Sequence, residues 1–117
     1  MVDLKRLPAA FYRSASGNEP VREWLLKLSS EDRKIVGTDI AKGEFGWPIG
    51  MPTCRALGNG MWEIRSELTG GRIARVLFTV FEGRMVLLHG FVKKSQKTPR
   101  EALLVARRRM TEVLKHG

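Results

Sequence analysis

The chain has 117 residues, and its 21 Lys and Arg against 12 Asp and Glu give a net charge of +9. This length predicts a single domain over residues 1–117. One cysteine, Cys54, excludes a disulfide framework and a multi-cysteine zinc site. No run of residues is apolar enough to span a membrane, so we expect a cytoplasmic protein whose partners are polyanions or acidic proteins.

The positive charge is concentrated near the end of the chain. Residues 84–117 hold nine Lys and Arg against two Glu, whereas residues 1–60 hold nine against seven acidic residues. A phosphate-bearing partner would be attracted to the basic end. A solvated basic helix is the alternative, and the charge alone does not separate the two.

The first third of the chain predicts an edge strand followed by a helix. Residues 4–13 mix apolar and basic side chains, and Pro8 restricts a strand there to an edge position. Asn18 is placed to cap a helix with Pro20 in its first turn. The apolar stripe of that helix consists of Val21, Trp24, Leu25 and Leu28.

A second helix and a long loop come next. Ser29 or Ser30 can cap the helix, and Gly43 is a natural end for it. Residues 44–60 are rich in Gly and Pro, which predicts a loop. Loops of this length inside a compact domain are often functional.

Three strand patterns occupy residues 61–92. The first alternates apolar residues with Glu63, Arg65 and Glu67, which predicts a strand with one wet face. Residues 73–81 and 85–92 are nearly continuous apolar runs, typical of buried strands. With Gly70-Gly71 and Glu82-Gly83 as two-residue turns, these strands form an antiparallel meander.

A helix ends the chain. Thr98 and Glu101 have the spacing of a capping box, with Pro99 at the first helical position. The whole pattern predicts an α+β fold, in which an N-terminal strand and a helical hairpin pack on a small antiparallel sheet that a C-terminal helix closes.

The usual catalytic motifs are missing from the sequence. It contains no glycine-rich phosphate loop, no paired metal-ligand spacing and no GxSxG, so we expect neither a metal nor another cofactor. His89 lies in an apolar strand and is interpreted as structural, and Cys54 as a loop or core filler. The working groups of an enzyme would then be Arg and Lys, which stabilise and orient phosphates.

Strand geometry locates two of these arginines. With two-residue turns, Arg75 lies opposite Ser66 and Gly90, and Arg65 falls on the other face of the sheet. A one-residue bulge would bring Arg65 and Arg75 to the same face. An arginine in an apolar strand is costly unless it is paired or functional.

Two interpretations of Arg75 remain open on the residues alone. Its guanidinium is either a phosphate-binding group or a structural partner of Glu63 or Glu67.

Several segments, in order along the chain, match one known pattern. They are Pro52-Thr53-Cys54-Arg55-Ala56-Leu57, Gly60-Met61-Trp62-Glu63-Ile64-Arg65, Arg75-Val76-Leu77-Phe78, residues 87–99 (LLHGFVKKSQKTP) and Ala106. They resemble the HigB-like, phage-derived branch of the RelE/ParE toxin superfamily, and the preceding helices resemble its helical hairpin.

This resemblance implies a compact α+β toxin of a type II toxin–antitoxin system. Most characterised relatives cut mRNA in the ribosomal A site by attack of a ribose 2′-hydroxyl on the adjacent phosphate. Their basic residues orient the phosphate and stabilise its developing charge, which agrees with the absence of an acid–base pair noted above.

The resemblance also implies residue roles. Matched by motif, the catalytic candidates are Arg65, Arg75, Lys93 and Lys94. The candidates for binding RNA phosphates are Arg55, Arg72, Lys97 and Arg100. Glu63 occupies a position that is basic in some RelE relatives, which leaves the proton-abstracting group unassigned.

The implied partners are the ribosome, mRNA and a helix-turn-helix antitoxin encoded next to the toxin. Leu104 and Val105 are candidates for the antitoxin surface, with core burial the favoured alternative for both. Two other functions stay open: a ParE-like gyrase inhibitor, which keeps the fold without ribonuclease activity, and a non-catalytic RNA- or ribosome-binding module.

Overall fold

A computed structural model describes residues 4–48, 50 and 53–116. The elements follow in the order β1 (Ala9–Phe11), α1 (Pro20–Lys27), α2 (Ser30–Gly46), β2 (Cys54–Gly58), β3 (Met61–Glu67), a 3₁₀ turn (Thr69–Gly71), β4 (Ile73–Phe81), β5 (Arg84–Lys93) and α3 (Arg100–His116). None of the helices in this described part is long and apolar enough to cross a bilayer.

The strands form one sheet in the order β1-β5-β4-β3-β2. The β1–β5 pair is parallel, and the other neighbours are antiparallel. This architecture confirms the predicted α+β fold.

The helices cover both faces of the sheet. On one face, Val21 of α1 and Val36 of α2 pack with Ile64, Val76 and Phe78 of the strands. On the other face, the apolar stripe of α3 packs on the sheet. The members of that second cluster include Leu77, Leu88, Ala102, Ala106 and Met110. The sheet is therefore the middle layer, and burial of apolar side chains on both faces holds the layers together.

The N-terminal elements correct one prediction about caps and confirm another. α1 begins at Pro20 as predicted, but Glu19 occupies the N-cap and makes no side-chain cap bond. The prediction that Asn18 caps this helix was wrong. The side-chain amide of Asn18 instead donates to the hydroxyl of Ser16. Ser29 does cap α2, where its hydroxyl accepts from the backbone N–H of Asp32 at 3.1 Å.

The predicted end of α2 at Gly43 was wrong. The helix continues to Gly46, and Gly43 is buried against the sheet. A β-carbon at this position would lie 2.9 Å from Cε of Met85. The glycine therefore serves close packing of the helix on β5, and it does not terminate the helix.

The predicted loop over residues 44–60 contains a strand. β2 pairs antiparallel with β3, with Cys54 opposite Ile64. Cys54 is buried and belongs to the core, and burial raises the pKa of its thiol to about 11. The part of the motif at Pro52 lies outside the described residues.

The predicted register between β3 and β4 was wrong by one residue. The connection is a three-residue 3₁₀ turn, closed by a hydrogen bond from Leu68 N–H to the carbonyl of Arg72 at 2.9 Å. Both turn glycines have positive φ, 76° at Gly70 and 73° at Gly71. The extra turn residue places Arg65 directly opposite Arg75.

The β4–β5 register also shifts by one residue. From the Glu82-Gly83 turn back to Phe78, the residues of β4 have the predicted partners on β5. An irregularity between Leu77 and Phe78 then shifts the partners of residues 73–77 by one position. Arg75 therefore lies opposite Phe91, and Val76 lies opposite Gly90. The β3–β4 correction brings Arg65 and Arg75 onto one face of the sheet, and the β4–β5 shift sets which β5 residues lie beside Arg75.

Candidate functional site

The arginines of β3 and β4 lie on the sheet face that α3 covers. Arg65 pairs with Arg75, which is two residues from Leu77 of the α3-side core. Side chains two positions apart on a strand share a face. Cross-strand pairing therefore sets two cations side by side, an arrangement that repels unless anionic groups compensate for it.

Arg75, together with Glu63, is one of two fully enclosed charged groups on this face among the residues that the structure describes. Its side chain has no exposed surface, and its Nη2 donates to the carbonyl of Ser95 at 2.6 Å. Its Nε lies 3.7 Å from Oε1 of Glu63, and its guanidinium lies 6.0 Å from the ring centre of Phe91. Within the described residues, Nε and Nη1 have no hydrogen-bond partner.

The electrostatics of Arg75 reflect this enclosure. Burial lowers the pKa of Arg75, the Glu63 carboxylate opposes that change, and the neighbouring Arg65 and Arg55 lower the pKa further. A guanidinium stays protonated at neutral pH even so. The face therefore holds a buried cation with two donors left for an anion.

A short stretch of chain, Lys94–Thr98, encloses the arginines, and we call it the covering segment. Besides the Ser95 carbonyl, it supplies the amide oxygen of Gln96, which accepts from Arg65 Nη2 at 2.9 Å. The Thr98 hydroxyl donates to Oε1 of Glu63 at 2.8 Å. All three contacts of the segment reach charged side chains of β3 and β4.

Thr98 was predicted to cap α3, and that prediction was wrong. The first helical bond runs from Leu103 N–H to the Pro99 carbonyl and the helix begins at Arg100, so Thr98 precedes the N-cap position, and its hydroxyl donates to Glu63. The sequence pattern of a capping box cannot reveal that this hydroxyl bonds to a carboxylate on a distant strand.

Comparison with known protein families supplies the decisive match. A family model described as phage-derived protein Gp49-like (DUF891) matches residues 23–111, about three quarters of the chain. The chain belongs to the Gp49-like family. This is a family of RelE-like toxins of toxin–antitoxin systems, so membership implies an antitoxin partner. A search among curated proteins gave no match.

In this Gp49-like chain, the two predicted catalytic lysines lie where β5 ends. Lys93 pairs with Ile73, which places it two rows from Arg75 along the strands. Lys94 follows as the first residue of the covering segment. Both lysines are exposed, so they stand at the rim of the face that carries Arg65 and Arg75.

The predicted phosphate-binding residues occupy three different places. Arg55 lies opposite Glu63, with its Nη1 3.8 Å from Oε2, so it borders the site. Arg72 is turned away toward α2, where it forms two bonds with Asp32, at 2.8 and 3.2 Å. Lys97 and Arg100 are exposed beside the covering segment and remain predictions for binding RNA phosphates.

Sequence reasoning misplaced Glu63. The alternating pattern of β3 put this residue on a wet face, but its side chain is fully buried because the covering segment lies over it. The sequence offered one signal of an unusual role for this position: it holds a glutamate where some RelE relatives have a basic residue. Burial by residues 35 positions away has no local sequence signature.

His89 lies next to the site without joining its hydrogen bonds. Its ring stacks on Phe91 with centres 5.6 Å apart, and Nδ1 lies 3.5 Å from Arg109 Nη1. Burial lowers the pKa of His89, and the Arg109 charge lowers it further. This packing agrees with a structural role.

A separate cleft of about 540 Å³ opens at the other end of the same face, between β1, the β4–β5 turn and the end of α3. Its walls include Phe11, Phe81 and Val113, and none of the predicted site residues lines it. The His, Cys, Asp and Glu side chains of the described residues form no group of three that could bind a metal ion.

Proposed function

We propose that this member of the Gp49-like family is an endoribonuclease toxin that acts on ribosome-bound mRNA in the cytoplasm. The observation that carries the proposal is Arg75, a buried guanidinium with two free donors beside a second arginine, Arg65. Paired, preorganised guanidinium groups are suited to a phosphate that gains charge in its transition state.

The proposed reaction is a transesterification within the RNA. The ribose 2′-oxygen bonds to the adjacent phosphorus while the bond from phosphorus to the 5′-oxygen breaks, which leaves a cyclic phosphate and a 5′-hydroxyl. Arg75 and Arg65 stabilise the extra negative charge on the phosphate oxygens. Lys93 or Lys94 faces the leaving 5′-oxygen, which must gain a proton as the 2′-hydroxyl loses one.

The closed covering segment sets a condition on this chemistry. Arg75 has no exposed surface, and the Ser95 carbonyl occupies its Nη2 donor. A phosphate reaches Arg75 only when Ser95 moves aside, so RNA binding must open the covering segment. Displacement of one carbonyl by a phosphate oxygen replaces a neutral acceptor with a charged one, which is the stronger partner.

The test is primer extension on a translated message with Arg75→Met. We expect codon-linked cuts with the wild-type chain and a loss of at least about 100-fold with the variant, since one oxyanion-stabilising donor group is worth about that much. Arg22→Met is the matched control, because Arg22 is exposed on α1 and loses the same charge. Circular dichroism verifies that both variants fold.

Either of two results would overturn the proposal: no cleavage of translated or free RNA by the wild type, or equal cleavage by a folded Arg75→Met chain. Inhibition of gyrase with intact mRNA would replace the nuclease with a gyrase inhibitor. Salt-sensitive RNA binding without cleavage would replace it with a non-catalytic binding module.

A further inference from the structure

Glu63 is the buried carboxylate between the arginines of the sheet. Its Oε1 accepts from Thr98 and lies 3.7 Å from Arg75 Nε, and its Oε2 lies 3.8 Å from Arg55 Nη1. Among the described residues, Oε2 has no hydrogen-bond partner. One carboxylate is therefore close to two cations and to the end of the covering segment.

The sheet register produces this placement. Arg55 lies directly across from Glu63 on β2, and Arg75 is its diagonal neighbour on β4, because Leu77 is the direct partner there. Direct and diagonal neighbours on one face are within reach of long side chains. Glu63 is thus fixed by the backbone of β3, and the two arginines extend toward it.

The distances indicate a charge contact with Arg75 and no hydrogen bond. At 3.7 Å, the Nε–Oε1 separation exceeds hydrogen-bond length. The carboxylate offsets the cost of burying the guanidinium, yet it leaves Nε and Nη1 unused. A tight bidentate pair would have consumed the donors that a phosphate needs.

Thr98 connects the same carboxylate to the covering segment. The hydroxyl, just before the start of α3, donates to Glu63 at 2.8 Å. The Ser95 carbonyl, three residues earlier, holds Arg75. The covering segment is therefore held over the sheet at two points, by the Thr98–Glu63 bond and by the Ser95–Arg75 bond.

We propose that Glu63 is a positioning residue, which holds Arg75 in the geometry for phosphate and, through Thr98, keeps the covering segment closed until an anion replaces Ser95. The proposal rests on the proposed function, since it takes phosphate as the ligand of Arg75. It assigns no proton transfer to Glu63.

The experiment follows the Arg75 Nε–H signal by ¹⁵N NMR, together with amide exchange of residues 94–98. Thr98→Val keeps the side-chain shape and removes the hydroxyl, and Thr98→Ser keeps the hydroxyl. We expect exchange at both places to rise about tenfold in Thr98→Val, as for loss of a hydrogen bond to a charged group, and to stay at the wild-type rate in Thr98→Ser.

Inorganic phosphate is the anion probe. It should shift the Arg75 signal at about tenfold lower concentration in Thr98→Val than in the wild type, because the variant no longer has to break the Thr98–Glu63 bond. Unchanged exchange and unchanged phosphate affinity in Thr98→Val would overturn the link between Glu63 and the covering segment.

Glu63→Gln tests positioning directly. We expect the Arg75 Nε–H signal to move and broaden, and kcat for RNA cleavage to fall about 100-fold with KM no higher, since the loss concerns geometry and not attraction of the anion. A folded Glu63→Gln chain with an unchanged Arg75 signal would refute the role. If Glu63→Gln does not fold, the comparison of Thr98→Val with Thr98→Ser decides whether Glu63 has the proposed role.

The NMR measurements need no RNA. A wild-type chain that never cleaves RNA would overturn the proposed function alone, whereas the Thr98 comparison would still decide the role of Glu63.

Discussion

Gly90 of β5 lies directly against a side chain of α1. A β-carbon there would lie 2.3 Å from Cε3 of Trp24, which is closer than atoms can approach. The indole ring of α1 therefore packs directly on the strand, and it does so only because the side chain of Gly90 is a hydrogen atom.

We expect Gly90→Ala to lower the free energy of unfolding by about 3 kcal/mol, since the tryptophan cannot withdraw without leaving a void in the core. Urea unfolding followed by Trp fluorescence measures this. Gly37→Ala is the matched control. Gly37 lies in α2 with nothing within 4 Å of an added β-carbon, so alanine should stabilise the chain by about 0.5–1 kcal/mol. Equal effects of the two variants would contradict the packing argument.

Among the elements, α2 and the turn between β3 and β4 are joined by one ion pair. Asp32 at the start of α2 accepts two bonds from Arg72, which also donates to the carbonyl of Thr69 in the turn. The hydrogen bond from Arg72 holds the pKa of Asp32 below its usual value. Because the folded value is depressed, this pair stabilises the fold above the ordinary carboxyl pKa, and the stabilisation is lost as the pH falls through the folded value.

Asp32→Asn should therefore be less stable than the wild type at pH 7, with the difference shrinking as the pH falls below about 4. Urea titrations at a series of pH values measure the difference. Asp39→Asn serves for comparison, since Asp39 makes only an i,i+3 contact with Lys42 at 3.5 Å. A difference for Asp32→Asn that stayed constant down to pH 2 would argue against the linkage.

Elements with a clear apolar period could be predicted from the sequence, and elements without one could not. β4, β5 and α3 appear close to their predicted bounds, because each buries a repeating set of side chains. β2 was missed because its edge position requires little apolar alternation and its flanks are rich in Gly and Pro. Leu104, for which core burial was favoured, is 56% exposed, since a helix against a flat sheet buries only one stripe.

The candidate site was harder to predict than the fold because it depends on register. The positions of Arg65 and Arg75 in the sequence are compatible with opposite faces or with one face. A single additional turn residue decides between them, and the sequence Thr69-Gly70-Gly71 allows turns of either length. The burial of Glu63 follows from the covering segment, which no periodicity describes.

On the scale of the whole molecule, α3 adds basic side chains whose charges are not used in contacts with Arg65, Arg75 or Glu63 of the described structure. Arg107 and Arg108 are exposed, and no ion pair in the described part of the chain involves them. Charges in such positions increase the local concentration of a polyanion and its rate of approach.

We expect the double substitution Arg107→Gln and Arg108→Gln to weaken RNA binding at low salt. The slope of log affinity against log salt should fall by about 0.7 for each RNA phosphate that the variant no longer neutralises. The cleavage rate at saturating RNA should not change, because neither side chain reaches Arg75. Fluorescence anisotropy at several salt concentrations and single-turnover cleavage measure the two quantities. A lower rate at saturation with an unchanged salt slope would place these arginines in the chemistry instead.

The parallel pairing of β1 with β5 has a consequence for how the chain acquires its structure. Ala9 pairs with Met85, so this edge of the sheet forms only when segments far apart in the sequence meet. Closing such a large loop is entropically costly and slows the folding of a chain of this size. Arg75 likewise acquires its enclosure from Ser95 and Thr98. A growing polypeptide can therefore complete its cationic face only after Thr98 has been synthesised, well after the strands that carry the arginines.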